Sequence, residues 1–271
     1  MLRLAATVGS SLDAIYAGTA TEEEVERFFK HVRLPNGVYK TTERRRLDDL
    51  NAAVAPLLPT GRMLELMDVG VSSGTTTVEW SEQLEVPHRI VAGDLSVAAQ
   101  WTRLGFADVL RDDAIVYADV LGRVVDVFGG TWRSRLALPL LELFARILPS
   151  RSFPLVDPRL ASSPVITLVQ DDIFVPRPEF DGRFDAVRAA NILNRGYFEE
   201  ERLRAGAANL IRRVRRGGLL IVCRTDDGVT DGSVYRVGDR LEELARLGAG
   251  SEVHDLVLAH PWAPSFTAAG A

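Results

Sequence analysis

Residues 63–80 read Met-Leu-Glu-Leu-Met-Asp-Val-Gly-Val-Ser-Ser-Gly-Thr-Thr-Thr-Val-Glu-Trp. Met63 to Val69 is an apolar run of buried-strand length. Gly70 to Gly74 is a small-residue turn, and a helix pattern starts at Thr75. A strand that turns through glycines into a helix aims backbone N–H groups and a positive helix end at a ligand. In open α/β sheets, ligands bind at the carboxyl ends of the strands. A dinucleotide fingerprint, Gly-x-Gly-x-x-Gly laid on Gly70, needs glycines at 72 and 75. The chain has Ser72 and Thr75 there, which argues against that cofactor class.

Outward from this unit, Pro87 to Ser96 reads as a second strand ending on Asp94, 20 positions beyond Gly74. A carboxylate so placed in a βαβ unit accepts hydrogen bonds from a ribose diol. The competing role for Asp94 is to cap the next helix, alongside Ser96. Val165 to Phe174 is a β-branched strand ending on Asp171 and Asp172. A turn stabilised by aspartate is its plainer explanation. Arg183 to Ala190 is a further strand, followed by Asn191-Ile-Leu-Asn194-Arg-Gly-Tyr197-Phe198.

The run from Asp68 to Gly74 resembles motif I of the class I S-adenosylmethionine-dependent methyltransferases, an acidic residue followed by Gly-x-Gly-x-Gly. Asp68, Gly70 and Gly74 match, and Ser72 stands at the middle glycine. Phe184-Asp-Ala-Val187 resembles motif IV, and Asn191 to Phe198 is similar to the corresponding segment of CheR-type relatives. Arg215-Arg-Gly-Gly218 resembles the family's Lys/Arg-Pro-Gly-Gly turn, with Arg216 for proline. A basic N-terminal helical domain of the CheR type is not evident.

The resemblance implies a doubly wound, Rossmann-like α/β sheet of seven strands with S-adenosyl-L-methionine as cofactor. It places Asp68, Gly70, Ser72, Gly74, Asp94, Leu95 and Asn191 at that cofactor. Asp172, with Asp171 close behind, takes the position that bonds the adenine amino group, and the next backbone N–H, on Ile173, faces the ring. Asn194 and Tyr197 are the polar groups expected to line an acceptor pocket. Tyr197, His31 and Tyr39 are the candidates for a general base, needed only if the acceptor loses a proton early. The implied reaction is in-line methyl transfer to a small molecule (sugar, lipid or secondary metabolite), at oxygen. The alternative is a non-catalytic S-adenosylmethionine-binding scaffold whose insertion forms a partner interface.

Composition bounds these readings. The chain has 271 residues, 46% hydrophobic and 25% charged, with net charge -5. That is a soluble globular composition, and its acidic balance speaks against nucleic acid as a partner. The single cysteine, Cys223, excludes an intrachain disulfide and suits a reducing compartment. Four scattered histidines show no metal-ligand spacing. Met1 to Ala20 lacks the apolar core of a secretory signal, and no run is long enough to span a bilayer. The expectation is a cytoplasmic protein.

The domain reading is 1–60 as an N-terminal helical cap, 61–100 with 165–260 as the core, 101–164 as an insertion over the substrate side, and 261–271 as a tail. In the cap, Thr21 and Glu24 form a capping box for a helix to Leu34, and a second helix is predicted over Thr41–Leu58. The insertion predicts a hairpin over Phe106–Leu110 and Ala114–Asp119. It then predicts a helix over Trp132–Leu148, with Leu136, Leu140, Leu143, Phe144 and Ile147 on one face and Pro139 kinking or starting it. That face either packs on its own domain, closes the site, forms a homodimer, or touches a membrane surface. The membrane reading is disfavoured by the few basic residues. Arg151 to Pro164 reads as a loop. Glu199 to Arg216 predicts a helix with Leu203, Ala207, Leu210, Ile211 and Val214 inward and its arginines outward. The C-terminal part then predicts a strand (Ser233–Val237), a helix (Asp239–Leu247) and a strand (Glu252–Ala259).

Overall fold

The computed structural model describes residues 9–35, 37–40, 42–127 and 132–259. The predicted tail lies outside these residues, as do the side chains of Arg133, Arg135 and Leu136.

In chain order the helices are α1 (Gly9–Tyr16), α2 (Glu22–Phe29), α3 (Asp48–Val54), α4 (Thr75–Gln83), α5 (Trp132–Ile147), α6 (Pro158–Ala161), α7 (Glu200–Arg213) and α8 (His254–Leu258). The first seven strands are β1 (Leu64–Val69), β2 (His88–Asp94), β3 (Ala98–Arg103), β4 (Ala107–Arg111), β5 (Ile115–Val120), β6 (Arg123–Val124) and β7 (Arg151–Pro154). The remaining strands are β8 (Ile166–Gln170), β9 (Phe184–Ala190), β10 (Val214–Asp226), β11 (Val229–Val237) and β12 (Leu241–Leu247). The chain forms two compact units: residues 44–71, 76–95 and 164–271, and residues 1–43, 72–75 and 96–163.

The first unit is a mixed, mainly parallel α/β sheet of seven strands, ordered β12-β11-β10-β9-β1-β2-β8. β1 pairs in parallel with β2 and β9, and β8 pairs in parallel with β2. From β1 the chain steps outward to β2 and β8, then returns to β9 on the other side of β1. The topological switch point therefore lies between β1 and β9, where such sheets bind ligands. β9 is buried along its whole length, as a central parallel strand must be. α7 buries Leu203, Ala207, Leu210 and Ile211, the face expected from sequence, against the sheet.

The sheet closes as an antiparallel meander, β10-β11-β12, rather than strand-helix-strand. Leu241–Leu247 is a strand although its Leu-Glu-Glu-Leu-Ala-Arg-Leu sequence favours helix. The open edge of β11 gives its backbone a full ladder, and propensity is a weak prior beside that. His254–Leu258 is a helix, not a strand, because Val253, Leu256 and Val257 bury a 3.6-residue face. The helix predicted over 41–58 is confined to α3 and a following 3-10 turn, Ala55–Leu57. Arg45 adopts φ 58° and gives its N–H to the Glu79 carboxylate (3.0 Å), which keeps it out of the helix.

The second unit contains a five-stranded antiparallel sheet, β6-β5-β4-β3-β7, and so more than the hairpin expected. β4 and β5 are that hairpin, whereas β3 and β7 occupy segments read as core and loop. The α1 and α2 residues Leu12, Ile15, Val25, Phe28 and Phe29 pack with Trp101, Tyr117 and Phe153 of this sheet. The capping box is present: the Glu24 N–H donates to Thr21 Oγ1 and the Thr21 N–H to Glu24 Oε2. α5 contains Pro139 and packs on β4 and β5 through Leu141 and Ala145. Leu140, Leu143, Phe144 and Ile147, the predicted apolar face, are exposed.

Candidate functional site

The C-terminal ends of β1, β2 and β8 stand in register. Val69 is opposite Gly93, and Asp94 is opposite Gln170. Gly70 and Val71 both donate their N–H to the Gly93 carbonyl, so β1 stays tied to β2 to the start of the turn. Asp94 is buried, and its carbonyl accepts the Asp171 N–H (2.9 Å). Leu95, next in the chain, is 57% exposed, and its carbonyl accepts from Gln170 Nε2. Asp172 is half-buried and accepts the Phe174 N–H on Oδ1. Two adjacent strand ends thus each carry a carboxylate, Asp94 and Asp172, and the exposed Leu95 follows the first of them in the chain.

Two other acidic residues from the sequence reading are engaged inside the unit. Asp68 lies opposite Arg188 of β9 in the parallel ladder. Arg188 holds Asp68 through Nε (3.0 Å) and Nη2 (2.6 Å), and Thr77 Oγ1 donates to the same carboxylate. Arg188 also donates to Asn51 and to the Thr76 carbonyl and stacks over Trp80. The two charged side chains are 1% and 3% exposed. Asp171 takes a similar fork from Arg213 at 2.5 and 3.1 Å, again deep in the core. Asp171 therefore points inward, and Asp172 is the carboxylate at the strand edge. Arg213 is not one of the outward arginines expected on its helix.

The glycines meet this chain's own side chains. Gly70 adopts φ 66°, and a Cβ there would stand 2.7 Å from Ile192 Cδ1. Gly74, φ 79°, is covered by Leu160, which a Cβ would strike. Ser72 shares the left-handed conformation at φ 56°. Ser72 to Thr75 group with the second unit, where Lys40 Nζ donates to the Ser72 carbonyl and the Asp157 N–H to that of Ser73.

Asn191, also left-handed at φ 60°, caps the end of β9 by accepting the Thr225 N–H (2.6 Å). Asn194 is buried and makes a turn, accepting from the Gly196 N–H and Arg224. Ile173 is buried in the core of the sheet unit. Tyr197 is 63% exposed, and its hydroxyl has no hydrogen-bond partner among the described residues. His31 and Tyr39 belong to the second unit and are exposed. Nδ1 of His31 contacts the Arg27 carbonyl, and the Tyr39 ring lies under Arg33.

The electrostatics elsewhere are structural. Burial pushes the Cys223 thiol up to about 12, which keeps it protonated and unreactive. Burial also works to raise the Asp185 pKa, but hydrogen bonds from Arg62 and the Glu65 N–H, with Arg215 nearby, hold it below the usual carboxylate value. Among the described residues no group of acidic, histidine or cysteine side chains is arranged to hold a metal ion. No helix among them is long and apolar enough to cross a membrane.

Sequence reasoning missed Arg188 and Arg213. A signal existed for the first: a charged residue inside the otherwise apolar run Ala186–Ala190, in the middle of a strand. Nothing set Arg213 apart from the other arginines of α7.

No family model and no curated protein matches the chain. Solved structures with some likeness include the citrinin polyketide synthase CMeT domain (15% identity, 79% of this chain and 41% of that one, TM-score 0.37). Another is the N-methyltransferase NodS from Bradyrhizobium japonicum in complex with S-adenosyl-L-homocysteine (11%, 74% and 71%, TM-score 0.36). A third is the [4+2]-cyclase SpnF (16%, 86% and 60%, TM-score 0.34). The chain spans 41% to 51% of the length of three of the matched structures. At these scores and identities the likeness assigns neither family nor activity to the chain.

Proposed function

We propose that the sheet unit binds S-adenosylmethionine at the ends of β1, β2 and β8, and that the chain methylates a small-molecule acceptor, at oxygen. One observation carries this reading: adjacent strand ends carry Asp94, followed by the exposed Leu95, and Asp172, next to the strand that leads into the Gly70 turn. That donor set suits an adenosyl group. In this reading Asp94 takes the ribose diol, Leu95 the apolar ring face, and Asp172 an exocyclic amine. The group supplies an activated methyl on a sulfonium sulfur. The protein's own work is then alignment and exclusion of water rather than activation. Tyr197 is the exposed hydroxyl nearest in sequence to the end of β9 and is the candidate to meet an acceptor or its proton. The chemistry of sugars, lipids and secondary metabolites supplies suitable hydroxyls.

A second reading has its own support. Asp68 is fully occupied by Arg188 and Thr77, and Gly70 and Gly74 are each covered by a side chain. Both features suit a fold that binds the cofactor without turning it over and serves as a scaffold.

Calorimetric titration with S-adenosylmethionine, S-adenosylhomocysteine and, as control, NAD tests both readings. Micromolar binding of the first two without NAD supports the cofactor assignment, and acceptor-dependent release of the demethylated product then separates enzyme from scaffold. Binding of neither sulfur compound overturns the proposal.

A further inference from the structure

Lys40 is 1% exposed, and its Nζ donates to the Ser72 carbonyl at 2.9 Å, 32 positions away. Burying an ammonium costs several kcal/mol unless it is well paired, so a lysine in this place has a job. Its backbone is fixed as well: the Lys40 N–H donates to the Val32 carbonyl, beside the Arg33–Tyr39 bridge.

The next carbonyl, that of Ser73, accepts the Asp157 N–H at 2.7 Å, and Leu160 covers Gly74. Two successive carbonyls of the turn are therefore held by this unit. In a trans peptide the C=O and the following N–H point in opposite directions. Holding the Ser72 and Ser73 carbonyls accordingly turns the Ser73 and Gly74 N–H groups to the opposite side, at the start of α4. Neither N–H is used by another described residue. The left-handed Ser72, a conformation that costs a serine free energy, is maintained by the same grip.

We propose that Lys40 is a positioning residue for the glycine turn. It sets the direction of the Ser73 and Gly74 N–H donors, and so the turn's affinity for a ligand that carries hydrogen-bond acceptors. The ligand rests on the S-adenosylmethionine reading above. The orientation of the turn does not.

The test compares the full chain with Lys40→Met and Lys40→Arg by two measurements. The first is the amide 1H–15N chemical shifts of Ser73 and Gly74, with those of the β4–β5 hairpin as internal reference. The second is calorimetric S-adenosylhomocysteine binding. In Lys40→Met the Ser73 and Gly74 cross-peaks leave their wild-type positions while the hairpin peaks stay. The ligand binds about tenfold more weakly, and Lys40→Arg restores much of both. Unchanged Ser73 and Gly74 shifts overturn the proposal, and so does an equal displacement of turn and hairpin peaks, which marks a general loss of structure. If the wild-type protein binds no S-adenosylhomocysteine, the cofactor reading falls, and Lys40 is judged on the shifts and on the arginine rescue alone. Should Lys40→Met fail to fold, Lys40→Gln carries the same comparison.

Discussion

Replacing Arg188 by methionine probes the largest electrostatic commitment in the sheet. The change keeps much of the apolar stem and removes the guanidinium. Asp68 is left buried with the Thr77 hydroxyl as its remaining donor among the described residues, and the contacts to Asn51, Thr76 and Trp80 are lost. Removing one partner of a buried pair costs about 3–5 kcal/mol. The lost stacking over Trp80, 4.3 Å from the ring centroid, adds roughly 1 kcal/mol. In a chain of this size 1 kcal/mol moves the thermal midpoint by roughly 2–4 °C, so the expected drop is on the order of 10–15 °C. The double variant Asp68→Asn with Arg188→Met removes the stranded charge and keeps an acceptor for Thr77. It should regain about 2 kcal/mol or more, a coupling that separates pairing from lost packing. Urea unfolding followed by circular dichroism, on wild type, both single variants and the double, measures it. A single variant within about 1 kcal/mol of wild type, or strictly additive effects, refutes the claim that this pair holds β1 to β9.

Other outcomes follow from the same geometry. Asp94→Ala should weaken S-adenosylhomocysteine binding by more than tenfold, about 1.4 kcal/mol, with the fold intact by circular dichroism; an unchanged affinity removes Asp94 from the site. Gly74→Ala forces a Cβ onto Leu160 at φ 79° and should lower stability by more than about 1 kcal/mol, with partial recovery in the Leu160→Ala background; a neutral single variant would show that the turn yields easily. Asp119 is buried, with one oxygen accepting the Gly122 N–H and the other unsatisfied, and burial, with Asp108 across the hairpin, raises its pKa. The folded state then binds its proton more tightly than the unfolded chain. The associated stability is present at low pH and is lost as pH rises from the unfolded carboxylate range through the folded pKa. Asp119→Asn should accordingly raise the thermal midpoint at pH 7 more than at pH 4, and an equal shift at both would contradict the assignment.

The expectations from sequence differ in outcome according to how local their physics is. The β1–turn–α4 unit was legible because its signal is contiguous: an apolar run, glycines at a reversal, then helix formers. The capping box of α2 and the buried face of α7 were legible for the same reason. The strand at Leu241–Leu247 was not, because its residues prefer helix and only the waiting edge of β11 overrides them. Nor was the five-stranded sheet, in which β3 and β7 pair across about fifty residues. α5 shows the limit of periodicity: the spacing correctly groups Leu140, Leu143, Phe144 and Ile147, but does not say that Leu141 and Ala145 make the contact.

The sequence by itself determined the succession of elements at the centre of the sheet and the acidic ends of β1, β2 and β8, since each depends on residues adjacent in the chain. Only the tertiary structure decided what those carboxylates do. Asp68 and Asp171 each meet an arginine more than 40 positions away, whereas Asp172 is left at the strand edge. A buried carboxylate takes whichever cation the fold carries to it, and no local pattern encodes that meeting. Lys40 and the glycine turn are joined in the same way, by a contact that exists only once the chain has folded.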